Sequence, residues 1–246
     1  MQIMSFRTKS TVLPISIRYC LFLVTLYMPI IPILCATPFI IARLAHYPLI
    51  DIVGLRKENF FVFVILTEAI STIVIFTLLY KKLGRSAANW RQLGFRKFSK
   101  IRALKYVAAY PVIILTLVIL LAVIAGALGV TPPNGTTTPA AKTLNLMGGI
   151  GPAFFVAVLV APLVEETIFR GILFPHFKRR YGVLAGVMIS TILFAVIHIN
   201  PVQVIATFFV GLYICFMYQR LDSIYPGMIL HALSNAAVLY IAASSI

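Results

Sequence analysis

Acidic side chains are the scarcest chemistry in this chain: six Asp and Glu among 246 residues, against 21 Lys and Arg. Charged residues of either sign make up 11%, while 61% are hydrophobic, and the mean hydropathy is +1.01. So apolar a composition excludes a soluble globular domain and leaves an integral membrane protein. Only three cysteines occur, Cys20, Cys35 and Cys215, each alone in an apolar run with no C-x-x-C spacing. That excludes a disulfide framework and a cysteine metal knuckle, and they read as packing residues. Also lacking are an H-E-x-x-H pair, an internal repeat, and any Ser or Cys at nucleophile spacing to a histidine. Arg7, Lys9 and Arg18 precede an apolar run longer than a signal-peptide core, with no clear cleavage site, so the run reads as a retained first span.

What is present is a set of long apolar stretches, each near the roughly 20 residues that cross a bilayer. They run over 19–44, 60–80, 106–128, 146–177, 183–198, 202–218 and 225–243, with Pro29, Pro32 and Pro38 kinking the first. The expected fold is an all-α polytopic bundle of about seven transmembrane helices in one domain, 1–246. An eighth span hidden in the long first or fourth run is the alternative. Loops fall at 45–58, with His46, Asp51, Arg56, Lys57 and Glu58, and at Thr131–Pro139. If the N-terminus is cytoplasmic, the inside segments 1–18, 81–105, 178–181 and 219–224 hold nearly all the cations; Arg43, Arg56, Lys57 and Lys142 lie outside. This bias predicts N-in, C-out, and the expected location is the plasma (inner) membrane of a prokaryote.

Residues 81–105 carry nine cations and no carboxylate: Lys81, Lys82, Arg85, Arg91, Arg96, Lys97, Lys100, Arg102 and Lys105. The same surplus on a soluble protein would suggest nucleic acid; between apolar spans it points to anionic lipid headgroups instead. With Trp90, Leu93, Phe95 and Phe98 interleaved, the segment is either an interfacial helix or an unstructured positive-inside loop.

Four of the six acids lie outside loops 45–58, and two of those are adjacent in the fourth span: Glu165 and Glu166, with Arg170 four residues on. Glu166 and Arg170 share a helix face in the favourable order for an ion pair. Glu165 points about 100° away and is left without a cation. Phe194-x-x-x-His198 and His231-x-x-x-Asn235 follow on later spans, each stacking two side chains on one face. Either histidine alone reads as a structural hydrogen bond between helices. Together with an uncompensated glutamate they form a constellation that packing does not explain. Glu68, alone in the second span, reads as a buried group bonded to a neighbouring helix, with a supporting role at the site as the alternative.

Desolvation suits a buried carboxylate to general-base work near neutral pH. Glu165 would activate water, His198 orient it, and His231 with Asn235 stabilise an oxyanion. The order and spacing of these groups resemble the CPBP family, also called the Abi or CAAX-protease-like family, over about residues 146–240. This family includes type II CAAX prenyl endopeptidases, which remove the last three residues of prenylated proteins. The resemblance implies Glu165 as base, His198 as water partner, His231 and Asn235 as oxyanion pair, and Glu166 and Arg170 as a supporting pair, with Phe194 a further supporting residue packed beside His198, all within core helices 146–243. Trp90–Phe95 also resembles the segment before that core. It implies a peptide or lipidated protein as substrate and no cofactor.

Zinc held by Glu165, His198 and His231 is the metal-dependent alternative at the same residues. A non-catalytic immunity or scaffold protein is an alternative from another class, and a proton-coupled transporter a third, disfavoured by the missing repeats. One geometric tension remains in the sequence. Counting residues from the nearest turns, at about 1.5 Å each, sets His198 and His231 about 12 Å apart in depth. Tilt, a protruding hairpin tip, or an Asn200–Pro201 turn inside the bundle would each remove it.

Overall fold

A computed structural model describes residues 15–31, 60–127, 149–198 and 200–244, with isolated positions 129, 141 and 144. Their regular structure is entirely helical. Helix α1 (Ile17–Thr25) continues into a wide π turn, Leu26–Ile30, where Pro29 cannot donate a normal helical hydrogen bond. Then come α2 (Phe60–Leu83), the short α3 (Ala87–Gln92) and α4 (Lys100–Ala127). Helices α5 (Ile150–Phe154), α6 (Ala161–Glu166) and α7 (Phe174–Val196) are joined end to end by π turns at Phe155–Val160 and Thr167–Leu173. Helices α8 (Pro201–Leu221) and α9 (Tyr225–Ala243) complete the bundle.

Five helical runs are long and apolar enough to cross a membrane, and Ile17–Met28 is a shorter apolar helix. One of the five, Ile150–Val196, contains both the fourth and the fifth expected spans. It folds back at Gly182, whose φ of 87° interrupts α7. The two legs touch immediately: a Cβ on Gly186 would lie 2.7 Å from the Lys178 backbone nitrogen, and Ser190 donates to the Phe169 carbonyl at 2.8 Å. Helix α4 presents Val112, Leu115, Val118 and Val123 outward, a face suited to acyl chains. It also starts at Lys100, six residues before the apolar run, because Lys and Arg are good helix formers. Cys20 and Cys215 are buried packing residues, as expected. The expectations for Pro32, Cys35, Pro38, Arg43, loops 45–58 and 131–139, and Lys142 lie outside the described residues.

The basic segment is neither one continuous helix nor an unstructured loop. Helices α2 and α4 extend into it from both sides, and the remainder folds into a cap of α3, a turn at Leu93–Gly94 and extended chain to Ser99. Its apolar residues turn inward: Trp90 stacks on Phe76, meets Phe95 edge-on and donates from Nε1 to the Gly84 carbonyl, while Leu93 is fully buried. The cations point out, with Arg96 half-buried and paired to Asp222.

This cap removes the depth mismatch. The hairpin tip, Lys178–Leu184, is exposed, and because His198 and His231 both lie against Phe194, its longer residue count sets it beyond the α8–α9 turn. The turn between α8 and α9 instead sinks beneath the cap, where Ser223 donates to the Arg96 carbonyl at 2.8 Å and Ile224 N–H to the Gly94 carbonyl at 3.0 Å. Residue counts from two turns at different depths therefore converge on one level.

The cap sits on the site helices through glycine. A Cβ on Gly171 would approach the Leu93 carbonyl oxygen to 2.7 Å, and that oxygen is backbone and cannot swing away. Gly171→Ala is expected to cost about 1–3 kcal/mol through overpacking, measured by thermal unfolding in detergent. Gly151→Ala, where an added methyl meets nothing within 4 Å, is expected to be neutral or slightly stabilising.

Candidate active site

The π turn Thr167–Leu173 and the residues flanking it, from Val164 to Phe174, are buried. A π turn inside an α-helix is a recurrent mark of a functional site, because the extra residue re-aims side chains. Glu166 and Arg170 form the pair expected from their spacing: Nη1 lies 3.0 Å from Oε1, and neither side chain has solvent exposure. Arg170 Nη2 donates to the Gly211 carbonyl at 3.3 Å, and its guanidinium carbon sits 4.2 Å from the centre of the Phe194 ring. Two glycines make room. A Cβ on Gly211 would lie 3.1 Å from both Arg170 Nη2 and Phe194 Cδ1, and one on Gly227 would lie 3.3 Å from Glu166 Oε2.

The same Glu166 oxygen that faces Arg170 lies 3.0 Å from His231 Nδ1. A carboxylate already accepting from a guanidinium is an acceptor, so the imidazole proton sits on Nδ1. Nε2 then points toward Glu165, 3.8 Å from Oε2. Glu165 Oε2 is buried and has no hydrogen-bond partner among the described residues. Arg170, Glu166, His231 and Glu165 thus form a chain in which only the last carboxylate is uncommitted.

His198 lies in the turn after α7 and is half-buried. Its Nδ1 is 3.0 Å from the Phe194 carbonyl, which can only accept, so this ring too carries its proton on Nδ1 and leaves Nε2 with a lone pair. Both imidazoles meet the Phe194 ring edge-on, with centroids at 5.3 Å for His198 and 5.5 Å for His231. Phe194 is the common wall that holds the two histidines at one level.

Asn235, one turn beyond His231, donates from Nδ2 to the Ala157 carbonyl at 2.7 Å. One of its two amide hydrogens is therefore committed to the π turn Phe155–Val160, and the second remains. Sequence reasoning treated His231 and Asn235 as equal donors; the geometry ties each to a different partner.

Glu68 was among the residues singled out, whereas Tyr27, Gly211 and Gly227 were missed. Glu68 accepts a hydrogen bond from Tyr27 at 3.1 Å, the inter-helix partnership expected of it, yet both are also within electrostatic reach of Glu165. Gly211 and Gly227 carried a signal that went unused, since glycine inside a helix costs about 1 kcal/mol relative to alanine and calls for a reason such as close approach. Both histidines anchor Nδ1 and leave Nε2 open, a habit shared with metal-binding histidines. No three His, Cys, Asp or Glu among the described residues are grouped so as to hold a metal ion.

Removing the cation alone should be far worse than removing the pair. Arg170→Met strands a buried carboxylate and is expected to cost about 3–5 kcal/mol, whereas Glu166→Gln with Arg170→Met should recover much of that loss. Denaturant or thermal unfolding of the two variants in detergent checks the order.

Residues 148–237 match a family model described as type II CAAX prenyl endopeptidase Rce1-like. No curated protein and no solved structure matches the chain. The matched stretch contains Glu165, Glu166, Arg170, Phe194, His198, His231 and Asn235, and supports an intramembrane endopeptidase. Over this region, 90 of the 246 residues, the chain is similar to the Rce1-like type II CAAX prenyl endopeptidases, and its apolar helices are those of an integral membrane protein.

Proposed function

We propose that this protein hydrolyses a peptide bond near the C-terminus of a lipidated or membrane-associated protein, using a water activated by Glu165. The observation that carries this reading is the uncommitted Glu165 oxygen 3.8 Å from an imidazole whose other nitrogen is fixed by a buried carboxylate. A glutamate used only for packing has no need of that arrangement.

In this mechanism Glu165 takes a proton from the water as its oxygen bonds to the amide carbonyl carbon, and the carbonyl electron pair moves to oxygen. His198 Nε2 accepts the second hydrogen of that water and aims its lone pair. The proton on Glu165 passes to His231 Nε2, whose N–H then faces the oxyanion beside the free Asn235 amide hydrogen. Collapse of the intermediate breaks the C–N bond, and the departing amine takes the proton back. Glu166 and Arg170 touch no reacting atom; they hold the His231 tautomer. The exposed cations of 81–105 would rest against the anionic headgroups of the cytoplasmic leaflet, with the N-terminus on that side, in a prokaryotic plasma membrane.

A zinc ion on Glu165, His198 and His231 is the second reading: both imidazoles are anchored and leave Nε2 open, but the three side chains are not grouped to hold a metal ion as they stand. Glu165→Gln is expected to lower cleavage by roughly 10²–10⁴ with the melting temperature unchanged. The readout is sequencing of the membrane-protein C-termini that differ between cells carrying the native chain and the variant. Cleavage that survives Glu165→Gln would favour a binding role instead. Loss on chelation with recovery on adding zinc would favour the metal reading.

A further inference from the structure

Hydrolysis at Glu165 consumes a water for every bond cut, and helix α2 carries a group of side chains suited to keeping water there. Thr67, Glu68, Ser71 and Thr72 fall within about 140° of one helix face. Thr67 and Ser71 are 6% and 0% exposed. The hydroxyl oxygens of Thr67, Ser71 and Thr72 are all buried without a hydrogen-bond partner among the described residues. Buried hydroxyls are ordinarily bonded to protein or to ordered water. Three left unbonded on one face, beside a carboxylate, are a cluster and not a stray.

The cluster lies alongside the site. Just below it in sequence, Val64 and Ile65 belong to the same apolar cluster as Val156 and Ala157; just above it, Ile75 and Leu79 belong to the cluster that also holds Tyr27, Val164 and Ile168. The polar turns between them therefore stand level with the stretch between Ala157, the Asn235 acceptor, and Glu165. Tyr27, in the π turn that follows α1, closes the group by donating to Glu68 at 3.1 Å. Glu68 and Tyr27 are within electrostatic reach of Glu165.

We propose that Thr67, Glu68, Ser71 and Thr72 of α2, with the Tyr27 hydroxyl, line a hydrated compartment in the bilayer that supplies water to Glu165. Its role as a supply rests on the hydrolase reading above; its hydration does not. Several bound waters bridging hydroxyls and a carboxylate would satisfy every orphan donor and acceptor on that face, as buried waters do elsewhere. The reservoir residues touch no reacting atom and are positioning residues.

The test is hydroxyl-radical labelling by pulsed X-rays of the full chain in lipid nanodiscs, where radicals form from water next to the labelled side chain. Tyr27 and Tyr218 are matched in burial, at 6% and 8% exposed, but Tyr218 packs against Phe174 and the cap. Tyr27 is expected to label about tenfold faster than Tyr218 if waters sit beside it. Thr67→Val with Ser71→Ala and Thr72→Val should bring the two rates together, and Ser71→Ala alone, a near-isosteric change, should move Tyr27 part of the way. In the same variants cleavage should lose about tenfold in kcat with KM within about twofold. Equal labelling of Tyr27 and Tyr218 in the native chain overturns the compartment, whatever the enzyme does. Fast Tyr27 labelling that drops in the variants, in a protein whose cleavage ignores Glu165→Gln, leaves the compartment standing and removes the hydrolase reading instead.

Discussion

Arg170 and Glu166 place a full positive and a full negative charge where neither side chain reaches solvent. Ions pay several kcal/mol each to leave water, and mutual attraction repays it only with good geometry and further hydrogen bonds. The surroundings of the pair read as an answer to that demand. The Gly211 carbonyl and the face of Phe194 meet the guanidinium and His231 donates to the carboxylate, while Arg170 Nε and Glu166 Oε2 have no hydrogen-bond partner among the described residues. Gly211 and Gly227 give up their side chains so that helices α8 and α9 can come this close. The pair is thereby a joint between α6, α7, α8 and α9, and its consequence is a fixed imidazole.

From that joint the site is built outward by packing. Phe194 touches Arg170 and both histidines, so the hairpin that carries it sets the distance between them. The hairpin can protrude because the Gly182 turn is free, while the α8–α9 turn is held below the cap by Gly94, Arg96 and Asp222. Segments remote from the chemistry, one of them the most basic in the chain, thus decide the height at which His231 meets Glu165.

Charge in an apolar context was easy to read in the sequence. The four-residue spacing of Glu166 and Arg170 gave their pair, the same spacing put Phe194 beside His198, and the apolar runs gave the helical membrane bundle. Contacts between distant segments were not readable. Nothing in the spacing of His231 pointed to Glu166 as the partner of Nδ1, or in that of Asn235 to the Ala157 carbonyl, because both bonds cross between helices whose relative rotation depends on packing. The form of the basic segment was hidden for a related reason: its cations pointed to headgroups, while the burial of Leu93 and the packing of Trp90 on Phe76 and Phe95 are contacts that spacing does not show. Residue counting exposed the depth mismatch but could not choose among tilt, a protruding hairpin tip and a turn within the bundle, because that choice depends on packing between distant segments.

The central claim is that a buried ion pair fixes the proton of His231 on Nδ1 so that Nε2 is presented to an otherwise uncommitted Glu165. The tautomer can be observed directly by ¹⁵N spectroscopy of histidine-labelled protein in lipid, with His231 assigned by difference against His231→Gln. The account predicts a protonated Nδ1 in the native chain that loses its fixed tautomer in Glu166→Gln. A ring carrying its proton on Nε2 with Nδ1 bare, unchanged by Glu166→Gln, would contradict it.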